Sequence, residues 1–290
     1  MNILILGANG MLGQKLFKRL SQDEKLNVWG TIRDKNLESF FANHLKPKLI
    51  SDIDCSESLD KLNNVIKTIK PDILINCIGI TKKNSSERLR TNLIKINALL
   101  PHKLLEICNV ENCRLIHIST DCVFSGKKGN YSEVDPPDPI DLYGMSKLLG
   151  EFSNHKHLTI RTSLIGFEFQ TKRGLLEWFL SRKKECFGYS NAFFSGLTTL
   201  ELSKVIESYI LKTSDIHGLY NIASPIISKA DLLSILAKVF KKKIIIKKIN
   251  EPKINRSLDQ SRFYNVTGYK CTNWMNLITE MYDEEYEQAH

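Results

Sequence analysis

Short uninterrupted apolar blocks recur along the first half of the chain, and each is followed by a stretch whose apolar positions fall at helical spacing. Ile3 to Leu6 is the first block, and Gln14 to Leu20 the first helical stretch. Unbroken apolar runs suit strands covered on both faces, so the alternation predicts an α/β fold with a doubly wound parallel sheet. Further strands are predicted over 27–32, 49–53, 73–79, 115–118 and 158–164. Helices are predicted over 56–69, over 92–109 with one interruption at Pro101, and from Asp141 to about Ser153. Beyond residue 165 the pattern loosens into helices over 174–184, 199–212 and 229–240, strands over 219–222 and 243–249, and an aromatic-rich loop over 186–196. The division this suggests is a sheet domain over 1–165 and, over 166–290, mainly a smaller lobe packed on the carboxyl edge of the sheet, with the chain free to cross between them.

The junction after the first strand changes this picture from fold to chemistry. Gly7-Ala8-Asn9-Gly10-Met11-Leu12-Gly13 has the G-x-x-G-x-x-G spacing between a buried strand and a helix. That is the context in which glycines let backbone approach a pyrophosphate, whose charge meets the amides of a helix N-terminus. Gly7, Asn9, Gly10, Met11, Leu12 and Gly13 are therefore expected to hold a nicotinamide dinucleotide on a Rossmann-type sheet. The end of the second strand carries Arg33 followed by Asp34. A base there suits the 2′-phosphate of NADP(H), which is preferred, and the acid keeps NAD(H) open. Asp54 is placed either over the adenine edge or at the start of the next helix. Cys77, Ile78 and Gly79 close the fourth strand with room for cofactor beside it.

A phenol and an ammonium stand four residues apart in Asp141-Leu142-Tyr143-Gly144-Met145-Ser146-Lys147. On a helix such a pair shares one face, and the ammonium is expected to favour the phenolate and make Tyr143 a proton donor or acceptor near neutrality. Tyr143 and Lys147 are also expected to touch the cofactor, Lys147 through the nicotinamide ribose. Thr120, at the carboxyl end of the fifth strand, is the hydroxyl paired with Tyr143 to orient a substrate carbonyl. His117, inside that strand, reads as a core residue.

Composition narrows the partners. The net charge of +9 is spread along the 290 residues and is densest at Lys241 to Lys248, read as a short apolar strand whose charged ends guard against edge pairing. No aromatic interleaving or recognition motif accompanies it, so nucleic acid is not expected and anionic small molecules are the simpler partner. Seven cysteines without a C-x-x-C pair or histidines at metal spacing suit free thiols and no metal site. The first apolar run is too short for a signal or a membrane span, and a cytoplasmic protein is expected.

Taken together, Gly7-x-x-Gly10-x-x-Gly13, Ser119-Thr120-Asp121-Cys122-Val123-Phe124-Ser125-Gly126 and Tyr143-Gly144-Met145-Ser146-Lys147 resemble the extended short-chain dehydrogenase/reductases in order and spacing. Tyr131-Ser132-Glu133, Asp135-x-Pro137-x-Pro139 and the closing Asn255-Arg256-Ser257-Leu258-Asp259 look like the dTDP-4-dehydrorhamnose reductase branch. The resemblance implies NADPH-dependent reduction of the 4-keto group of a nucleotide-linked deoxysugar for bacterial-type polysaccharide, with Asp121, Val123, Phe124 and Arg256 on the substrate. A homodimer is allowed for. The chain departs from the branch at Cys122, where the better known reductases carry an aromatic residue, and at Leu164-Ile165-Gly166-Phe167, which looks nearer to reductases of other nucleotide deoxysugars. Two alternatives stay open: an epimerase or dehydratase using the same triad, and a cofactor-binding regulatory subunit similar to the β subunit of methionine adenosyltransferase.

Overall fold

The computed structural model describes residues 1–81, 87–169 and 174–286, the side chains of 87–89 aside. The apolar blocks become strands β1 (Asn2–Leu6), β2 (Asn27–Thr31), β3 (Leu49–Ile50), β4 (Ile73–Asn76), β5 (Arg114–Ile118) and β6 (Leu158–Arg161). Together with Gly218–Asn221 they form one parallel sheet of seven strands, in the order Gly218–Asn221, β6, β5, β4, β1, β2, β3. Ile3, Leu4, Ile5 and Leu6 have no exposure at all, because helices cover both faces. The Met11–Leu20 helix packs Leu16, Phe17 and Leu20 on one face, while Leu4, Leu6 and Leu74 meet Leu62, Ile66, Leu100 and Leu104 on the other.

Several boundaries differ from the sequence pattern, each for a local reason. The third strand ends at Ile50 because Asp52 turns into the left-handed region at φ 60. The helix expected from Ser56 begins at Asp60, since Ser56 bonds back to Asp54 through its amide (2.8 Å) and hydroxyl (2.7 Å), and Ser58 to Asp60. Asp54 thus closes a turn and does not start a helix. The helix expected over 92–109 starts at Glu87 and opens into π-helical turns over Ile94–Leu99 before Leu100–Val110. Pro101 follows directly on the π-helical turns, whose widened geometry accommodates its missing N–H.

The strand at Gly218–Asn221 is the edge of the main sheet beside β6, so the chain returns to the sheet after residue 165. The rest of the second half makes small sheets beside the carboxyl edge. Ala192–Phe194 pairs with Ile227–Ser228 on one side and Ile254–Asn255 on the other. Glu185–Tyr189 is a strand where a loop is expected: Cys186 and Gly188 point inward while Phe187 and Tyr189 face out, so the aromatics mask the alternation. It pairs in parallel with Ile245–Ile249, the lysine-flanked segment, where Ile245 stays exposed. Lys15 on the first helix bonds Glu284 at 2.9 Å and ties the final helix, Trp274–Tyr286, to the sheet. Among the described residues no helix is long and apolar enough to cross a membrane.

Candidate active site

The glycine segment sits at the carboxyl end of β1. Gly7 turns the chain at φ +75, and a Cβ at Gly13 would lie 2.1 Å from the Gly7 carbonyl oxygen, so only glycine lets the helix seat against the strand end. Gly10 caps that helix without a side chain, which leaves the first-turn amides beside Met11 and Leu12 to an oxyanion. Asn9 lies in the turn itself. The exit of β4 runs alongside: the Cys77 amide donates to the Leu6 carbonyl at 3.1 Å, and a Cβ on Gly7 would stand 3.0 Å from Ile78 Cγ1. Gly79 follows, with Asn97 Oδ1 3.7 Å from where its Cβ would be. This small-residue cradle fits a dinucleotide.

At the end of β2, Arg33 is exposed, whereas the Asp34 carboxylate accepts the Asn36 amide at 2.9 Å and caps a 3₁₀ turn. Burial raises the Asp54 carboxyl, but the Ser56 hydroxyl and amide and the Arg33 guanidinium outweigh it and hold the group below its ordinary value.

Tyr143 and Lys147 ride on the Leu142–Leu149 helix, which Asp141 caps by accepting the Gly144 amide at 2.9 Å. Gly144 is buried, and a Cβ there would come within 2.2 Å of the Cys122 carbonyl oxygen. The glycine after Tyr143 therefore lets the helix press on the 3₁₀ turn Asp121–Val123, which Thr120 caps. Thr120 donates to Asp121 Oδ1 at 3.2 Å and accepts the Cys122 amide at 3.2 Å, and its hydroxyl lies where it acts on the Tyr143 phenol. Lys147 is buried and donates to the Ile118 carbonyl at 2.6 Å.

The electrostatics differ from the expectation that Lys147 pulls the Tyr143 phenol down. Burial pushes that phenol well above its ordinary value, Cys122, Asp121 and Asp141 add to the push, and the Thr120 hydroxyl opposes it. The ammonium is instead engaged by the Ile118 carbonyl, Glu151 and Cys77. Burial lowers the Lys147 ammonium to about 8, with Glu151 and Cys77 working against the fall. The sign of the pH effect follows. A lysine that holds its proton less well folded than unfolded weakens the folded state below its folded pKa, and this is relieved as pH rises from about 8 to the ordinary 10.5. Urea unfolding of the apoprotein against Lys147→Met should show parent stability gaining on the variant across that window. A difference independent of pH would contradict the assignment.

Asn97, which the sequence reading passed over, is fully buried on the π-helical turns. Its amide group exchanges two 2.9 Å hydrogen bonds with the Ile80 backbone and donates to Ser146 Oγ at 3.1 Å. It thereby fixes the β4 exit to the tyrosine helix; the widened helical turn is the only signal for it, and the sequence pattern does not carry that signal. His117 is a neutral core residue facing Asn76 at 3.1 Å, as expected.

On the substrate side the expected residues separate. Asp121 is buried, and burial raises its carboxyl against the pull of Lys229 and Arg256. Val123 and Phe124 are fully buried in a cluster with Tyr131, Ala223 and Leu258, where Phe124 stacks on Tyr131 at 4.1 Å. Arg256 donates from Nε to the Phe124 carbonyl at 2.8 Å and brings Nη1 within 3.9 Å of Cys122 Sγ. The described residues contain no group of side chains arranged for a metal. A cavity of about 440 Å³ lies away from these residues, lined by Asn27, Trp29, Ile50 and Thr68.

The chain is similar to several known proteins. A family described as RmlD substrate binding domain matches residues 1–185. A dTDP-4-dehydrorhamnose reductase of Aggregatibacter actinomycetemcomitans is 26% identical over 293 residues, 99% of this chain and 80% of the relative. A methionine adenosyltransferase 2 subunit beta of Danio rerio is 30% identical over 157 residues, 53% of this chain and 44% of the relative. Among solved structures, a dTDP-4-dehydrorhamnose reductase of Bacillus anthracis in complex with NADP superposes with a TM-score of 0.79 at 22% identity, covering 98% of this chain and 99% of that one.

Proposed function

The chain belongs to the RmlD substrate binding domain family, and from that premise we propose that it is an NADPH-dependent reductase of the 4-keto group of a nucleotide-linked deoxysugar, working in the cytoplasm on polysaccharide precursors. One observation carries the reading: Thr120, at the carboxyl end of the sheet, acts on the Tyr143 phenol, with Lys147 one helical turn on and beside the β4 exit that borders the glycine cradle. NADPH bound in that cradle supplies hydride. Thr120 orients the carbonyl, Tyr143 gives the proton to its oxygen, and Lys147 holds the cofactor ribose.

Preference for NADP(H) rests on the division of labour after β2. Asp34 is committed to its turn, while Arg33 is exposed and available to a 2′-phosphate. A charge-assisted contact of this kind is worth about 1.5 to 3 kcal/mol. Arg33→Ala should therefore weaken NADPH roughly 10-fold or more and leave NADH nearly unchanged; equal losses for both would overturn the preference.

The activity itself is tested by incubating the protein with NADPH and a panel of nucleotide 4-keto sugars and weighing the products by mass spectrometry. A gain of two hydrogens on one of them, with loss of NADPH absorbance, is the expected result. A product isomeric with the substrate and no net cofactor use would favour an epimerase. Inertness towards every sugar would favour a subunit role of the kind the zebrafish relative's name describes.

A further inference from the structure

After Arg33 the chain leaves the sheet for the 3₁₀ turn Lys35–Phe40, and it rejoins the sheet at Leu49. Whatever holds that turn sets the direction in which Arg33 leaves β2. Asp34 fixes the near end, its carboxylate accepting the Asn36 amide at 2.9 Å and its carbonyl the Leu37 amide at 3.0 Å. Rings fix the far end. Phe41 is buried and meets Phe17 of the Met11–Leu20 helix edge-on, with centroids 5.8 Å apart. Phe40 is 43% exposed and stacks on Phe169 at 5.6 Å, the planes 20° from parallel, while Phe169 also meets Phe41 edge-on at 5.3 Å. One ring from the second half of the chain thus grips both rings that close the turn.

Phe169 is itself anchored. The Phe167 carbonyl accepts Gln14 Nε2 at 2.7 Å, which ties Phe167–Phe169 to the same helix that carries Phe17. Glu168 accepts the Gly174 amide at 3.1 Å, and a Cβ on Gly174 would lie 3.0 Å from Met11 Cε, in the first turn of that helix. The residues around Phe169 therefore touch both borders of the dinucleotide cradle, the helix start and the segment after Arg33. Beside the ring pair the interior is not filled, since a cavity of about 250 Å³ lies among Gln14, Phe40, Phe41, Phe167 and Phe169. A ring placed only for packing would be buried, as Phe41 is. Phe40 keeps an open face, and the ring it stacks on is Phe169.

We propose that Phe169 is a positioning residue for the choice of cofactor: through Phe40 and Phe41 it fixes the turn after Arg33, and so the aim of the guanidinium at the 2′-phosphate of NADPH. The inference rests on the reading of Arg33 as the residue that prefers NADPH. NADH lacks that phosphate, so a loosened turn should leave its binding alone.

Dissociation constants of NADPH, NADH and 2′,5′-ADP, measured on the full chain by fluorescence and calorimetry, read the effect without turnover. In Phe169→Ala and in Phe40→Ala the ratio of the NADH to the NADPH constant should fall roughly 3- to 10-fold, the scale of a lost aromatic pair. Binding of 2′,5′-ADP should weaken in step, with NADH nearly unchanged. Phe169→Tyr, which keeps the ring, should keep the parent's ratio, and the double alanine variant should shift it no further than Phe169→Ala alone. Equal weakening of NADPH and NADH, additive shifts in the double variant, or a lower Tm with an unchanged ratio would assign the rings to packing and overturn the proposal; the Arg33 reading then stands so long as Arg33→Ala still loses the preference. A parent without a preference, or an Arg33→Ala that keeps it, removes the premise and the proposal together. Should Phe169→Ala not fold, Phe40→Ala and Phe169→Leu are read in the same way.

Discussion

Tyr143→Phe is expected to cut turnover of a nucleotide 4-keto sugar by roughly 10² to 10⁴, the usual worth of general acid catalysis, while NADPH titrated by fluorescence binds about as well as to the parent. The substitution removes one oxygen and keeps the ring, so the helix cap at Asp141 and the close approach of Gly144 to Cys122 are untouched. The phenol is protonated at neutral pH, as a tyrosine ordinarily is, and burial moves it further from ionisation in the free protein. That is the form reduction consumes: the tyrosine is the acid, and a raised pKa holds its proton ready until a carbonyl oxygen gaining charge arrives to take it. The Thr120 hydroxyl then favours the phenolate left behind. Oxidation of an alcohol would need the phenolate at the start, so the same geometry should make the reverse reaction climb steeply with pH while the forward one stays flat across neutrality. A phenylalanine variant that reduces the sugar at the parent rate would remove Tyr143 from the mechanism.

How much of this was legible beforehand depended on whether a residue acts through its neighbours in sequence or in space. The glycines at 7, 10 and 13, the Thr120 strand end and the Tyr143–Lys147 helix carry their meaning in local spacing, and the structure gathers them along the carboxyl edge of the sheet. The return of Gly218–Asn221 to the edge of the main sheet was less visible, because four residues of apolar pattern do not say which sheet they join. Glu185–Tyr189 was hidden by aromatics on its outer face. In sequence Lys229 is a helix-opening lysine after a serine cap, and only the pairing of Ile227–Ser228 with Ala192–Phe194 brings its charge to bear on Asp121. The direction of the Tyr143 shift also escaped the pattern, since a four-residue interval specifies that two groups share a face but not that one of them is engaged by a backbone carbonyl behind it.

Glu151→Ala should be strongly destabilising. Glu151 lies just past the tyrosine helix with its side chain only 8% exposed, and Arg161 opposite it is 3% exposed. The guanidinium reaches it by three bonds, Nε to both oxygens at 3.0 and 3.1 Å and Nη2 to Oε2 at 2.7 Å, while Ser119 donates to Oε1 at 2.6 Å. Among the described residues Arg161 Nη1 has no hydrogen-bond partner. Breaking a buried pair from one side leaves an uncompensated ion and costs about 3 to 5 kcal/mol, which in a chain of this size lowers Tm by roughly 10 °C. The double variant Glu151→Ala, Arg161→Leu should regain part of that loss, because both charges then leave together; a double variant as unstable as the sum of the singles would show that the pair is not a unit. Activity supplies a second readout. Glu151 is the largest influence opposing the fall of the Lys147 pKa, so in Glu151→Ala that pKa should drop further below about 8, and NADPH affinity should decline with rising pH earlier than in the parent. Glu151→Gln, which keeps the shape but not the charge, should show the same early decline with a smaller loss of stability. If cofactor affinity in either variant follows the parent's pH profile, Glu151 supports the fold alone and Lys147 owes its protonation to other groups.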